Sequence, residues 1–327
     1  MDEQYTVNNE AALRKIIPHP PSIMSKRLQA ELDQVCLEII EHSKLYVLAS
    51  SDKNQSIKLC SIQSLRVLNR TTILLSGEEM RSGGMADSSV SLYFLMPGVG
   101  HGLRLNGEVN DVKEGVLLNM RTAYLHCARA AARAGLWEKR ISEQHDFSNI
   151  SVETFLQHSA SLFLKTKNSQ GQVELSPRGD EPGFVSSVAP NTLFIPERPG
   201  NKVAVSLRNI LQDDDVELLM FLPSGGFLMR VLGKASLCTR PEYREQASVN
   251  NNPPKLGILI HHCEYSIIAS EVLEKLQKDI QCGELITPAV KSFSKAFSEH
   301  TNGTGLKGKL AHIIIDGVVK KDMRSLY

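Results

Sequence analysis

HSKLYVLAS at residues 42–50 returns as HSASLFLKT at residues 158–166, an offset of 116 (158 less 42). The same offset sets Leu59 against Leu175 at the end of the next apolar run. Farther on, Thr72-Ile73-Leu74 faces Thr192-Leu193-Phe194, FLMPG at 94–98 faces FLPSG at 221–225, and Arg104-Leu105-Asn106-Gly107 faces Arg230-Val231-Leu232-Gly233. His126-Cys127 against His262-Cys263 completes the series, within what reads as a helix in both halves. One such match is chance, but an ordered series with slowly growing offset reads as a duplication.

Each copy repeats one pattern of elements. An amphipathic helix, LQAELDQVCLEIIEH in the first and the weaker ISVETFLQH in the second, leads into short strands rich in Leu and β-branched residues. Gly, Pro and Asn turns separate them, leaving no room for crossover helices, so the expected fold is mainly β with flanking helices. It reads as two tandem antiparallel barrels rather than a doubly wound sheet. Residues 1–145 form the first copy, 146–282 the second, and 283–327 an extension without a counterpart. The polar stretch RISEQHDFSNISV marks the boundary. In the extension, ITPAVKSFSKAFSEH reads as a helix and KLAHIIIDGVV as an edge strand.

Three stretches carry a further resemblance: LSPRGDEPGFV at 175–185, TLFIPERPGNKVAVSLRNIL at 192–211, and HCARAAARAGLW at 126–137. Together they resemble the pyridoxamine-phosphate-oxidase-like, FMN-binding split-barrel flavoproteins. The likeness spans nearly the whole chain, but as two partial copies. The Ser-Pro-Arg-Gly-Asp and Pro-Gly-Asn-Lys segments are well formed only in the second copy, and the helix motif only in the first. It implies two tandem split β-barrels that form an intramolecular pseudo-dimer, and a flavoprotein, an FMN-dependent oxidoreductase of that group, with FMN as cofactor.

FMN carries a dianionic phosphate, a polar chain and a flat ring, so a site needs fixed cations, hydrogen-bonding groups and apolar walls. Arg178 presents a planar fork suited to phosphate, and Lys202 a point charge. Ser176, Asn201 and Ser206 supply short polar groups, and Gly179 lets backbone approach closely. By resemblance, Arg178 and Lys202 take the phosphate, with Arg198 and Ser206 as neighbours. Singly, each reads equally well as a solvated surface charge or an ordinary turn. Their order along the chain is what points to a ligand.

The first copy has lost this set: Ile62 stands opposite Arg178, and SGEEMRSGG, with Glu78 and Glu79, replaces the PERPGNK loop. The helix shows the reverse. Arg129, Arg133 and Trp137 recur every four residues, with His126 a turn earlier, which makes one cationic, aromatic face; at the matched positions of the second copy stand Tyr265, Ala269 and Leu273. A solvated basic stripe with Trp137 in the core is the plainer alternative. The family's flavin sites lie between two subunits, so the resemblance implies one surviving site that pairs the second copy's Arg178 and Lys202 with His126, Arg129, Arg133 and Trp137. Arg104 and Arg230, present in both copies, read as structural.

Composition restricts partners. Lys plus Arg number 37 against 36 Asp plus Glu, so no global field draws the chain to nucleic acid or a membrane, and any anion site must be local. No apolar run is long enough for a signal peptide or a membrane span, which places the expected location in the cytoplasm. The six cysteines form no CxxC pair, and no metal site is expected. No catalytic constellation is legible. The expected partners are a small-molecule substrate, with an anionic one left open, and an NAD(P)H donor, with the pseudo-dimer monomeric or assembled into a homo-oligomer. A non-catalytic flavin-binding or regulatory module stays open. So does a haem-binding or haem-degrading barrel, with His261, His262 or His312 as axial ligand.

Overall fold

The structure is a computed structural model that describes residues 3–52, 57–76, 87–137, 150–222, 226–282, 287–324 and 326–327. Glu78 and Glu79, residues 223–225 of FLPSG and most of the RISEQHDFSNISV stretch lie outside them. By contact the chain divides into two compact units. The first lobe holds Ser22–Arg129 and Leu285–Leu326; the second holds Met1–Pro21, Ala130–Glu284 and Tyr327.

In chain order the second lobe opens with β1 (Thr6–Val7) and helix α1 (Glu10–Ile16). The first lobe then runs α2 (Gln34–His42), β2 (Leu45–Ser50), β3 (Lys58–Ser61), β4 (Leu65–Val67), β5 (Thr72–Leu75), β6 (Ser88–Leu95), β7 (Gly102–Val112) and β8 (Gly115–His126). The short helix α3 (Arg129–Ala134) follows. The second lobe continues with α4 (Val152–His158), β9 (Ser161–Lys167), β10 (Val173–Gly179), β11 (Ser186–Ala189), β12 (Thr192–Pro196), α5 (Val205–Ile210), β13 (Asp215–Leu222), β14 (Phe227–Cys238), α6 (Pro241–Gln246), β15 (Gly257–Ala269) and α7 (Glu271–Gln281). Helices α8 (Phe293–Asn302) and α9 (Leu306–Arg324) close the first lobe.

The two sheets share one antiparallel order: β3-β2-β6-β7-β8-β5-β4 in the first lobe and β10-β9-β13-β14-β15-β12-β11 in the second. Identical order with matched helices makes each lobe one split-barrel repeat, and the fold is the expected tandem. Local chemistry repeats as well. At the end of α2, His42 Nδ1 lies 2.8 Å from the Glu38 carbonyl, and at the end of α4, His158 Nδ1 lies 2.8 Å from that of Thr154. Each helix starts on a side-chain cap, Asp33 accepting from the Cys36 N–H at 2.8 Å and Ser151 from that of Thr154 at 3.1 Å.

Register corrects the repeat in detail. Tyr46 pairs with Cys60, and its counterpart Leu162 pairs with Arg178, so Cys60 rather than Ile62 stands opposite Arg178. Leu59 thereby faces Pro177, not Leu175. Leu45 pairs with Leu95 and Ser161 with Phe221, so FLMPG and FLPSG are one residue out of step. Arg104 pairs with Tyr124 and Arg230 with Ser266, so the His126-Cys127 and His262-Cys263 match is false. His126 ends β8 and His262 lies inside β15, neither of them in a helix. The true counterparts of Arg129 and Arg133 are Glu271 and Lys275, at the start of α7. The slips near Arg178 and His262 are even-numbered, so they preserve the inward and outward alternation of a strand and leave the apolar pattern unbroken.

Each lobe has its own core. In the first, Ile39 of α2 and Phe297 of α8 pack with Phe94, Leu103 and Leu105; in the second, Leu13 of α1 and Phe155 of α4 pack with Leu193, Leu207 and Ile258. KLAHIIIDGVV is helical, not an edge strand. Its β-branched run favours a strand locally, but Ala311, Ile315 and Val319 recur every four residues and seat against the first-lobe core, and packing overrides propensity. Asp33 is also bound from α8, with His300 Nδ1 at 2.7 Å.

Candidate functional site

In the second lobe β10 is an edge strand, which is where a proline such as Pro177 costs no ladder hydrogen bond. Arg178 leaves it and divides its fork: Nη1 donates to Glu197 at 2.5 Å and Nη2 to Ser206 Oγ at 3.0 Å. Its Nε–H is buried without a hydrogen-bond partner among the described residues. Ser206 lies in the first turn of α5, so the strand and the PERPGNK loop, far apart in sequence, meet at this guanidinium.

The loop is held from several sides. Arg14 of α1 donates to the carbonyls of Lys202 and Val203 at 2.9 and 3.2 Å. Asn201 Oδ1 accepts the Val203 N–H at 3.0 Å. Lys202 and Ala204 adopt left-handed backbone, φ 62° and 56°, which costs a non-glycine residue on the order of 1 kcal/mol each. The Lys202 side chain is exposed and has no ion-pair partner among the described residues.

Helix α3 seats on β10 through glycine. A Cβ on Gly179 would fall 2.2 Å from the Ala130 carbonyl oxygen and 3.0 Å from the Ala134 Cβ, so only hydrogen fits. Arg133, on the same helix, is buried, and its Nη2 donates to the Pro199 carbonyl at 2.7 Å. The helix is shorter than the sequence reading at both ends. It stops at Ala134, the chain turns at Gly135 with φ 54°, and half-buried Trp137 therefore does not continue the Arg129 and Arg133 face.

Sequence reasoning missed Asp180, Glu197 and Tyr327. Asp180, 1% exposed, bonds Arg198 Nε and accepts from the Tyr327 hydroxyl at 2.6 Å. The Tyr327 ring sits 5.4 Å from the Arg198 guanidinium carbon and 5.7 Å from that of Arg133, within cation–π reach. Burial, then the carboxylate of Asp180, pushes its phenol above the ordinary range. The alternation of charges in PRGD and PERP was the available signal for the two carboxylates, whereas nothing local in the sequence pointed to Tyr327.

Arg178 is matched by Glu197 and Arg198 by Asp180, Glu181 acts with Asp180 on the Tyr327 phenol, and the exposed Lys202 extends from the adjoining turn. Beside them opens a cavity of about 380 Å3. Ile16, Ile17, Pro18, Pro253 and Pro254 form its apolar wall, and Glu197, Arg198, Asn201, Lys202, Asn252, Lys255 and Tyr327 its polar one; Arg178 and Ser206 are not among the described residues that line it. That volume lies in the range of small-molecule sites. Ser176 lies two residues before Arg178 on β10, half-buried.

The remaining candidates belong to the first lobe. Arg129 is buried at the start of α3. His126 packs 5.3 Å from Tyr93 and 5.2 Å from Tyr124, ring centre to ring centre. Burial, with the charges of Arg104 and Arg27, drives its imidazole well below the ordinary range, so it is a neutral side chain and adds no positive charge. Arg104 and Arg230 have structural partners. Arg104 is buried 4.4 Å from the Tyr124 ring, while Arg230 binds buried Glu217 at 2.6 Å.

No protein-family model matches the sequence, and no curated protein matches it. Solved structures similar to parts of the chain include HupZ of Group A Streptococcus, 16% identical over 37% of this chain and 95% of its own, with a TM-score of 0.31. A putative pyridoxamine 5'-phosphate oxidase from Lactobacillus delbrueckii is 21% identical over 37% of this chain and 93% of its own, TM-score 0.28. General Stress Protein 26 from Bacillus anthracis str. Sterne is 13% identical over 36% and 91%, TM-score 0.28. The fold assignment itself stands on strand order and register.

Proposed function

We propose that this chain is a tandem split-barrel flavoprotein of the pyridoxamine-phosphate-oxidase-like group, which binds FMN in the second lobe and acts as an oxidoreductase. The observation that carries the reading is the meeting of Arg178 and Ser206 at 3.0 Å beside the strained Lys202 turn, with Arg198 and Arg133 gathered about Tyr327 nearby. Left-handed non-glycine residues persist where surroundings enforce them, and such enforcement is common at ligand sites.

In this reading Arg178 and Lys202 hold the phosphate, Ser206 and Asn201 hydrogen-bond it, and Arg198 and Arg133 raise the local potential. Gly179 lets α3 close on β10, Ser176 adds a polar group on that strand, and Trp137 supplies an aromatic surface. Arg178 would surrender part of its bond to Glu197 as phosphate arrives, because two anions cannot share that edge of the guanidinium without repulsion. The orphaned Arg178 Nε–H is a donor that binding would satisfy. A bound flavin supplies hydride or electron transfer at its ring, chemistry that asks the protein for orientation and hydrogen bonds rather than for an acid–base triad.

The test is an absorption spectrum of protein purified after incubation with FMN. Retained flavin bands that bleach with NADPH or NADH support an oxidoreductase. Flavin that no donor reduces limits the chain to a binding module, and a Soret band with no flavin refutes the proposal.

A further inference from the structure

Helix α9 presents two faces. Its inner face seats on the first-lobe core, while Leu306, Leu310, Ile313, Ile314 and Val318 stand 75, 57, 71, 70 and 55% exposed. At about 100° per residue these five fall within one arc of roughly 140°. Together they leave on the order of 600 Å2 of apolar surface in water, the size at which a patch on a monomer usually has a partner. The charged residues of the helix are Lys307, Lys309, Lys320, Lys321 and Arg324 against Asp316 and Asp322, a surplus of three positive charges. Asp316 is already bonded by Lys320 at 2.7 Å.

The charges decide the occupant. A second copy packed antiparallel about Ile313 and Ile314 would bring together two helices that each carry a surplus of three positive charges. Packed parallel, Lys321, near the middle of the arc, would meet its own image. Either arrangement adds like-charge repulsion to the apolar contact. An anionic bilayer surface removes the conflict, because apolar side chains enter the acyl boundary while lysines extend along it to the lipid phosphates. No described helix is long and apolar enough to cross a membrane, so α9 would lie on the surface.

We infer that the outer face of α9 docks the protein on bilayers that contain anionic phospholipid. The near-zero net charge of the chain conceals this patch, since the rest of the sequence carries a compensating negative excess.

Co-sedimentation of the full chain with phosphatidylcholine vesicles containing about 30% phosphatidylserine, and with pure phosphatidylcholine vesicles, tests it. Wild type should partition at least about tenfold more strongly to the anionic vesicles. Ile313→Gln/Ile314→Gln, both at exposed positions, should lower that partition about tenfold or more with unchanged circular dichroism. Lys307→Gln/Lys321→Gln should remove most of the preference for phosphatidylserine. Failure of wild type to sediment, or equal sedimentation of the isoleucine variant, overturns the inference. So does a wild-type dimer in light scattering that the isoleucine variant dissolves, because the face would then belong to a second copy.

Discussion

Gly179→Ala tests whether α3 is seated on the Ser-Pro-Arg-Gly-Asp strand. The added methyl would lie 2.2 Å from a backbone oxygen of Ala130 and 3.0 Å from the Ala134 Cβ, where no flexible side chain can yield. Helix and strand must therefore separate. Over-packing of this kind costs about 1–3 kcal/mol, and in a unit of this size each kcal/mol lowers Tm by about 2–4 °C. Tm is thus expected to fall by roughly 2–12 °C. Because α3 carries Arg133, whose Nη2 holds the Pro199 carbonyl, FMN affinity should weaken as well. Gly200→Ala is the control for stability. Its Cβ would meet nothing nearer than the Arg198 carbonyl at 3.9 Å, and Tm should not move. Thermal unfolding followed by circular dichroism reads both variants. A Gly179→Ala protein as stable as wild type would refute the packing of α3 against β10.

Other outcomes follow from the same geometry. Glu197→Gln removes the anion bonded to Arg178, so FMN affinity by fluorescence titration should rise about tenfold, or 1.4 kcal/mol, and unchanged or weaker binding would contradict the assigned phosphate position. Lys202→Gly relieves a left-handed φ and should stabilise the protein by about 1 kcal/mol in urea unfolding while it weakens FMN binding; a loss of stability would show that the turn is unstrained. Burial holds buried His101 down to about 4, against the opposing pull of Glu38, from 6.5. The unfolded chain then takes the proton first as pH falls, so this stability is whole above about 6.5 and is lost towards 4. His101→Phe should flatten that part of the pH–stability curve by up to about 3 kcal/mol, and an unchanged curve would assign the proton uptake elsewhere.

The repeat made the fold legible because strand order follows the order of apolar runs, and both copies keep it. Finer register was not legible. Displacing a strand by two residues returns the same side chains to the same face, so Ile62 read as well as Cys60 opposite Arg178. The pairing of Arg178 with Ser206 was foreseeable from the joint presence of the two motifs. Its bond to Glu197 and the bond of Asp180 to Arg198 required the fold to bring oppositely charged residues of separate segments together. Tyr327 reaches Asp180 from the far end of the chain, and no local pattern encodes that contact. Helix α9 misled for a different reason. Its Ile-Ile-Ile run suits a strand until the four-residue spacing of Ala311, Ile315 and Val319 is weighed against a core that sequence alone does not place.

The phosphate assignment is most directly tested by comparing riboflavin with FMN in wild type and in Arg178→Ala/Lys202→Ala. Two charge-assisted contacts are worth about 3 kcal/mol or more together, so wild type should prefer FMN by at least about a hundredfold, and the double variant should bind the two flavins almost equally. A preference for FMN that survives both substitutions would place the phosphate elsewhere and contradict the account.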